Sequence, residues 1–87
     1  MENINYAVTI LYSFDTTRTT YLFENFDDAW SFLTETMKEE LRIDKEENGW
    51  DVEYEESKEN GTVILTDHFH DHDDITTGYV SDVDNGD

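Results

Sequence analysis

The alternation of apolar and polar positions divides the chain into short strand-like segments around one longer helical segment. From Asn25 to Arg42 (NFDDAWSFLTETMKEELR), Phe26, Trp30, Leu33, Met37 and Leu41 recur at the helical period, with Asp27, Asp28, Ser31, Glu35, Lys38, Glu39 and Arg42 opposite. This predicts an amphipathic helix with a single buried face. Asn25 is a good N-cap residue, Asp28 is placed to reach back in the manner of a capping box, and Asp27 and Asp28 sit where the helix dipole favours anions. The far end has two solutions: the helix stops near Arg42, or residues 44–47 extend it until Asn48 and Gly49, suited to a left-handed C-cap, close it.

The flanking segments carry the strand period. Tyr6 to Phe14 (YAVTILYSF) is apolar on both faces, which predicts a central strand after a short lead-in over residues 1–5. A polar turn over residues 15–18 then returns the chain along Thr19 to Phe23. Beyond the helix, Trp50 to Glu56 places Trp50, Val52 and Tyr54 on one face and Asp51, Glu53 and Glu55 on the other. Residues 58–61 end in Asn-Gly, a hairpin signal, and Thr62 to Phe69 makes the return strand. Residues 70–74 read as a polar loop, and Ile75 to Val80 allows a short fifth strand weakened by Gly78. Residues 81–87 read as a frayed tail. The predicted fold is α+β, β-β-α-β-β with that possible fifth strand: one domain over residues 1–87, its antiparallel sheet covered on one face by the helix.

Composition narrows the function classes. A chain of 87 residues makes one small domain of modest burial, to which twelve aromatic residues contribute much of the apolar area. Without cysteine there is neither a disulfide framework nor a thiolate metal site, which a cytosolic location allows. No apolar run reaches membrane-spanning length, and the opening MENINY is not a signal peptide.

Three features suggest chemistry without organising it. His68, His70 and His72, interleaved with Asp67, Asp71, Asp73 and Asp74, have ligand types for a divalent metal, and an extended backbone would put the imidazoles on one face. The hydrolase pattern His-x-His-x-Asp-His has one more residue and a much larger fold, so a solvated polar strand end is the simpler reading. Residues 82–87 (DVDNGD) resemble the start of a calcium loop, but glycine falls one place early and the chain stops before the late acid. Several carboxylates are close in sequence, yet no nucleophile or phosphate-binding glycine loop accompanies them. Neither an enzyme nor a cofactor is expected.

The remaining feature is charge: 23 Asp and Glu against 5 Lys and Arg, a net −18. Residues 44–59 hold eight acids (Asp44, Glu46, Glu47, Asp51, Glu53, Glu55, Glu56 and Glu59) and two lysines; from Asp67 onward there are seven acids and no lysine or arginine. Duplex DNA carries about one charge per 1.7 Å, so eighteen charges match roughly 30 Å of duplex. A compact domain of this length has a radius of gyration of about 12 Å, giving a comparable diameter. Self-repulsion at this density costs stability, which argues that the charge has a use.

The segments YAVTILYSFD, LFENFDDAW, EENGWDVEY and TDHFHDHDDITTGYV cover most of the chain. In their order and in chain length they resemble a group of short acidic proteins carried by phages and other mobile elements of Gram-positive bacteria. In size and charge the chain is also similar to anti-CRISPR proteins that act as DNA mimics. Such inhibitors commonly plug the basic site where a type II CRISPR nuclease reads its PAM duplex. The resemblance implies that the carboxylates of residues 44–59, with Asp67, Asp71, Asp73 and Asp74, stand in for phosphates and base-edge acceptors. It transfers no role position by position, because these inhibitors share charge more than sequence.

The expected function is therefore inhibition of a basic nucleic-acid-binding host protein in the bacterial cytoplasm, first a CRISPR nuclease. Neither nucleic acid nor membrane is expected to be bound directly. A restriction enzyme or transcription factor is the alternative target. From a different class, a non-inhibitory acidic interaction module of a mobile element is the competing expectation.

Overall fold

The computed structural model of the chain describes residues 4–13 and 15–83. Strands β1 (Tyr6–Tyr12) and β2 (Asp15–Phe23) form a hairpin, and helix α1 (Phe26–Arg42) follows. One π-helical turn (Ile43–Glu47) then leads to the hairpin of β3 (Asp51–Ser57) and β4 (Thr62–His68), and β5 (Asp73–Asp82) ends the fold. All neighbouring pairs are antiparallel in one sheet of order β2-β1-β5-β4-β3. The α+β architecture with one helix across one sheet face is thus as expected. The fifth strand, however, spans ten residues and joins the two hairpins from the middle of the sheet.

The alternation within each strand separates the faces. Val8 and Ile10 on β1, Val63 and Leu65 on β4, and Ala29, Leu33 and Met37 on the helix form the core. Phe23, Trp30, Phe32, Leu41, Val52 and Tyr54 pack around it. The buried centre of the helix therefore includes Ala29, whose small side chain lets the helix approach the sheet, while Trp30 sits at the flank. Gly78 permits the same approach from β5, since a Cβ there would overlap Leu33 Cδ1. The residue expected to weaken the last strand is what lets the helix settle on it.

The helix begins as its sequence requires. Asn25 Oδ1 accepts from the Asp28 backbone N–H at 2.8 Å, and Asp28 returns the contact by accepting from Asn25 Nδ2 at 3.1 Å, side chain to side chain. At the other end the Asn48 N–H donates to the Ile43 carbonyl at 2.9 Å, closing the wide turn before Gly49, which has φ +69°. Two loops differ from expectation. The polar turn at residues 15–18 is absent, because β2 already begins at Asp15 and pairs back to Tyr12, leaving a tighter link. Between β3 and β4 only Gly61 takes a positive φ, and its N–H donates to the Lys58 carbonyl at 3.1 Å. Of the expected frayed tail, Ser81 and Asp82 belong to β5, while residues 84–87, Phe14 at the expected end of the first strand, and most of the calcium-loop-like segment lie outside the described residues.

Candidate functional site

The fold sorts the acids by position. Strand β3 is a sheet edge, and its alternation aims Asp51, Glu53 and Glu55 away from the helix, all exposed. Side chains on one strand face recur at about 7 Å, near the order of the phosphate repeat along a strand. Neither Asp51 nor Glu55 forms an ion pair among the described residues. Glu53 reaches His68 Nε2 at 3.1 Å, and His68 Nδ1 meets Asp73 Oδ1 at 2.9 Å, so a chain of charge continues from β3 across β4 to β5. Beyond it Asp71 holds His72 Nδ1 at 2.7 Å, with Asp74 3.5 Å from the other ring nitrogen. Hydrogen bonds to these carboxylates push both His68 and His72 above the ordinary histidine value, chiefly through Asp73 and Asp71 respectively.

The remaining exposed candidates flank this row. Glu56, on the helix side of β3, accepts from the Tyr54 hydroxyl at 2.6 Å and lies 3.5 Å from Lys38 Nζ. Glu47 pairs with Arg42 at 2.9 Å, while Glu46 and Glu59 are exposed in the π-helical turn and in the β3–β4 loop. These candidate acids therefore run along one edge of the sheet, from the β3–β4 loop along β3 to the turn after the helix and the segment around residue 71.

Two of the twelve expected partner-binding acids are misplaced for that role. Asp44 and Asp67 are each only 4% exposed and lie beneath the helix end. The reason is local: Asp67 alternates with Val63 and Leu65 on the helix side of β4, and the helical period carries Leu33 through Glu40 to Asp44. With Asp74, the cross-strand neighbour of Asp67, these carboxyls face a cavity of about 280 Å³ also lined by Trp50 and Thr76. Burial, then the hydrogen bond with Asp44, then the charges of Asp44, Glu40 and Asp74 push Asp67 up to about 7. Glu40 is raised as well, by burial and by Asp44. The sequence reading passed over Glu40, Trp50 and Thr76; a charged residue on an apolar helical stripe was the available signal.

The histidines do not share a face. Strand β4 ends at His68, and the chain reverses over residues 69–72, where the Phe69 N–H donates to the His72 carbonyl at 2.9 Å. The reversal sends the His68 and His72 imidazoles to different carboxylates, and among the described residues no three such groups are set to hold a metal ion. No helix of the described residues is long and apolar enough to cross a membrane.

The density argument also changes with the shape. The molecule measures 49 × 23 × 21 Å, with a radius of gyration of 14.2 Å. Eighteen net charges over that length give about one per 2.7 Å, sparser than the one per about 1.7 Å of duplex. Local concentration along the β3 edge has to do what average density does not. No protein-family model, curated protein or solved structure matches this chain.

Proposed function

We propose that this protein is a non-enzymatic inhibitor that occupies the basic nucleic-acid groove of a host enzyme as a DNA mimic, with a CRISPR nuclease as the first target to test. The observation that carries the reading is the exposed row Asp51, Glu53 and Glu55 on the sheet edge, continued by Asp73 and Asp71. A strand fixes these carboxylates at a regular spacing, so they meet a row of arginines and lysines without first being ordered. The net charge of −18 repels nucleic acid and steers the chain toward basic surfaces. Both partners would act in the bacterial cytoplasm.

Order-of-addition competition tests this. Nuclease exposed to the inhibitor first should lose DNA binding, whereas nuclease preloaded with guide and target DNA should resist. Affinity should fall steeply between about 50 and 500 mM salt. Inhibitor and DNA bound together without mutual weakening would sink the mechanism. A restriction enzyme or transcription factor is tested in the same format.

A second reading, a non-inhibitory interaction module of a mobile element, draws on the sheet face opposite the helix. There Leu11, Leu22, Ile64 and Ile75 are exposed among threonines, an apolar surface that a DNA mimic does not need. Under that reading, replacing Leu22 and Ile75 by Ser weakens partner capture more than removing acids does.

A further inference from the structure

The cavity beneath the helix end is built from four separate elements. Glu40 comes from α1, Asp44 from the π-helical turn, Asp67 from β4 and Asp74 from β5, with Trp50 and Thr76 completing the wall. None of the residues lining it is basic. Asp67 is 4% exposed, and its Oδ1 has no hydrogen-bond partner. A buried, unpartnered carboxylate oxygen costs more than any surface acid, and nothing in the packing requires it, because asparagine or leucine has similar bulk. Trp50 lines the cavity and is 40% exposed, so it borders both the cavity and solvent.

We propose that this cavity receives a guanidinium or alkylammonium group, held by the carboxylates of Asp44 and Asp67, with Glu40 and Asp74 beside them and the Trp50 ring against its stem. The charge is what the four acids lack, and the planar fork of a guanidinium satisfies two carboxylate oxygens at once. An indole at the mouth adds cation–π attraction. A volume of about 280 Å³ exceeds by several-fold the roughly 30 Å³ taken by one water, leaving room for the head group and part of its stem. The donors are not clustered for a metal ion, which leaves an extended organic cation as the better fit. The inference does not rest on the groove-binding reading.

Proton and cation compete for this site. Asp67 faces Glu40 from the helix, Asp44 from the π-helical turn and Asp74 from β5, with His72 beyond Asp74 and uncharged Val52 opposite on β3. Cation binding should therefore strengthen as pH rises from 6 to 8, as the shared proton leaves.

The test is a two-dimensional NMR titration of the full chain with ethylguanidinium and, separately, with N-acetyl-arginine amide. Saturable shifts are expected at the Trp50 indole N–H and the Asp67 and Thr76 amides. They should weaken at least about tenfold in Asp67→Asn and in Trp50→Ala, but not in Glu53→Gln. The second pocket variant keeps the result readable if the first perturbs folding. Tighter binding of the arginine derivative assigns the site to a side chain of a protein partner; equal binding assigns it to a free small cation. Non-saturating shifts, equal losses in Glu53→Gln, or affinity that does not change with pH would overturn the proposal. No nuclease is present, so this failure is separate from failure of the mimicry reading.

Discussion

The two hairpins are built alike and charged differently. Residues 6–23 contain one acid, Asp15, and one base, Arg18; residues 51–68 contain six acids and one lysine over the same length of chain. Both supply the core in the same way, Val8 and Ile10 from one and Val63 and Leu65 from the other. The acids of the second hairpin are thus not needed to make it fold. All but the buried Asp67 sit on its outer face, edge or loop, where their mutual repulsion costs stability. Tyr21 and Leu22, by contrast, lie 40% and 58% exposed on the hairpin with no net charge.

Removing what binds the two halves together gives the largest expected effect. Leu33 is fully buried between the helix and the sheet, so Leu33→Ala should cost about 2 to 5 kcal/mol. Gly78→Ala, pressing a methyl against the buried Leu33 side chain, should cost about 1 to 3 kcal/mol. Thermal melts followed by circular dichroism read both; a wild-type melting point in either variant would mean that the helix does not clamp the hairpins.

Charge reversal sharpens the contrast next. Asp51→Lys with Glu53→Lys and Glu55→Lys should weaken target binding on the order of 100-fold while leaving the melt within a few degrees. The same reversal at Asp27, Asp28 and Glu35, on the exposed face of the helix, should change binding far less. Equal losses from both sets, measured by surface plasmon resonance, would make net charge rather than the edge row responsible.

Stability should fall as pH rises. The folded-state value of Asp67 is raised from 3.8 to about 7, so between those values the folded chain holds a proton that the unfolded chain has released. This contribution is fully present below pH 3.8 and is lost as pH rises through about 7. His68 and His72, also raised, add stability below their ordinary value of 6.5 that disappears above their raised ones. Melts should therefore fall from pH 5 to pH 8 by at least about 4 °C, the equivalent of about 1 kcal/mol in a domain of this size. Asp67→Asn should flatten most of that slope; an unchanged slope would place the proton elsewhere.

The smallest effect belongs to the three histidines. Replacing His68, His70 and His72 by Asn should leave target binding and the pH 8 melt close to wild type, and zinc should not raise the melting point. Micromolar zinc binding lost in that triple variant would restore a metal role.

What was readable in the sequence follows the strength of the local pattern. The helix from Phe26 and the β3–β4 hairpin have one period each, sustained over several turns or alternations, and both stand where expected. The last strand was underestimated because Asp73 and Asp74 read as part of a polar loop and Gly78 as a weakness, until a leucine from the helix is known to need the space at that glycine. Asp44 and Asp67 were misread for the opposite reason. Their type indicated surface, while their period, on the Leu33 stripe and the Leu65 face, indicated interior; counting acids by segment lost that phase.

The central place of β5 bears on how the molecule is made. During synthesis the β1–β2 hairpin, the helix and the β3–β4 hairpin all leave the ribosome before the strand that pairs with both hairpins. Until residues 73–82 emerge, Leu33 has no Gly78 to rest on, and Ala7 to Ile10 and Val63 to Leu65 expose unpaired backbone on facing strand edges. The sheet can therefore close only after the last strand has emerged, and until then both hairpins present the open edges that β5 will cover.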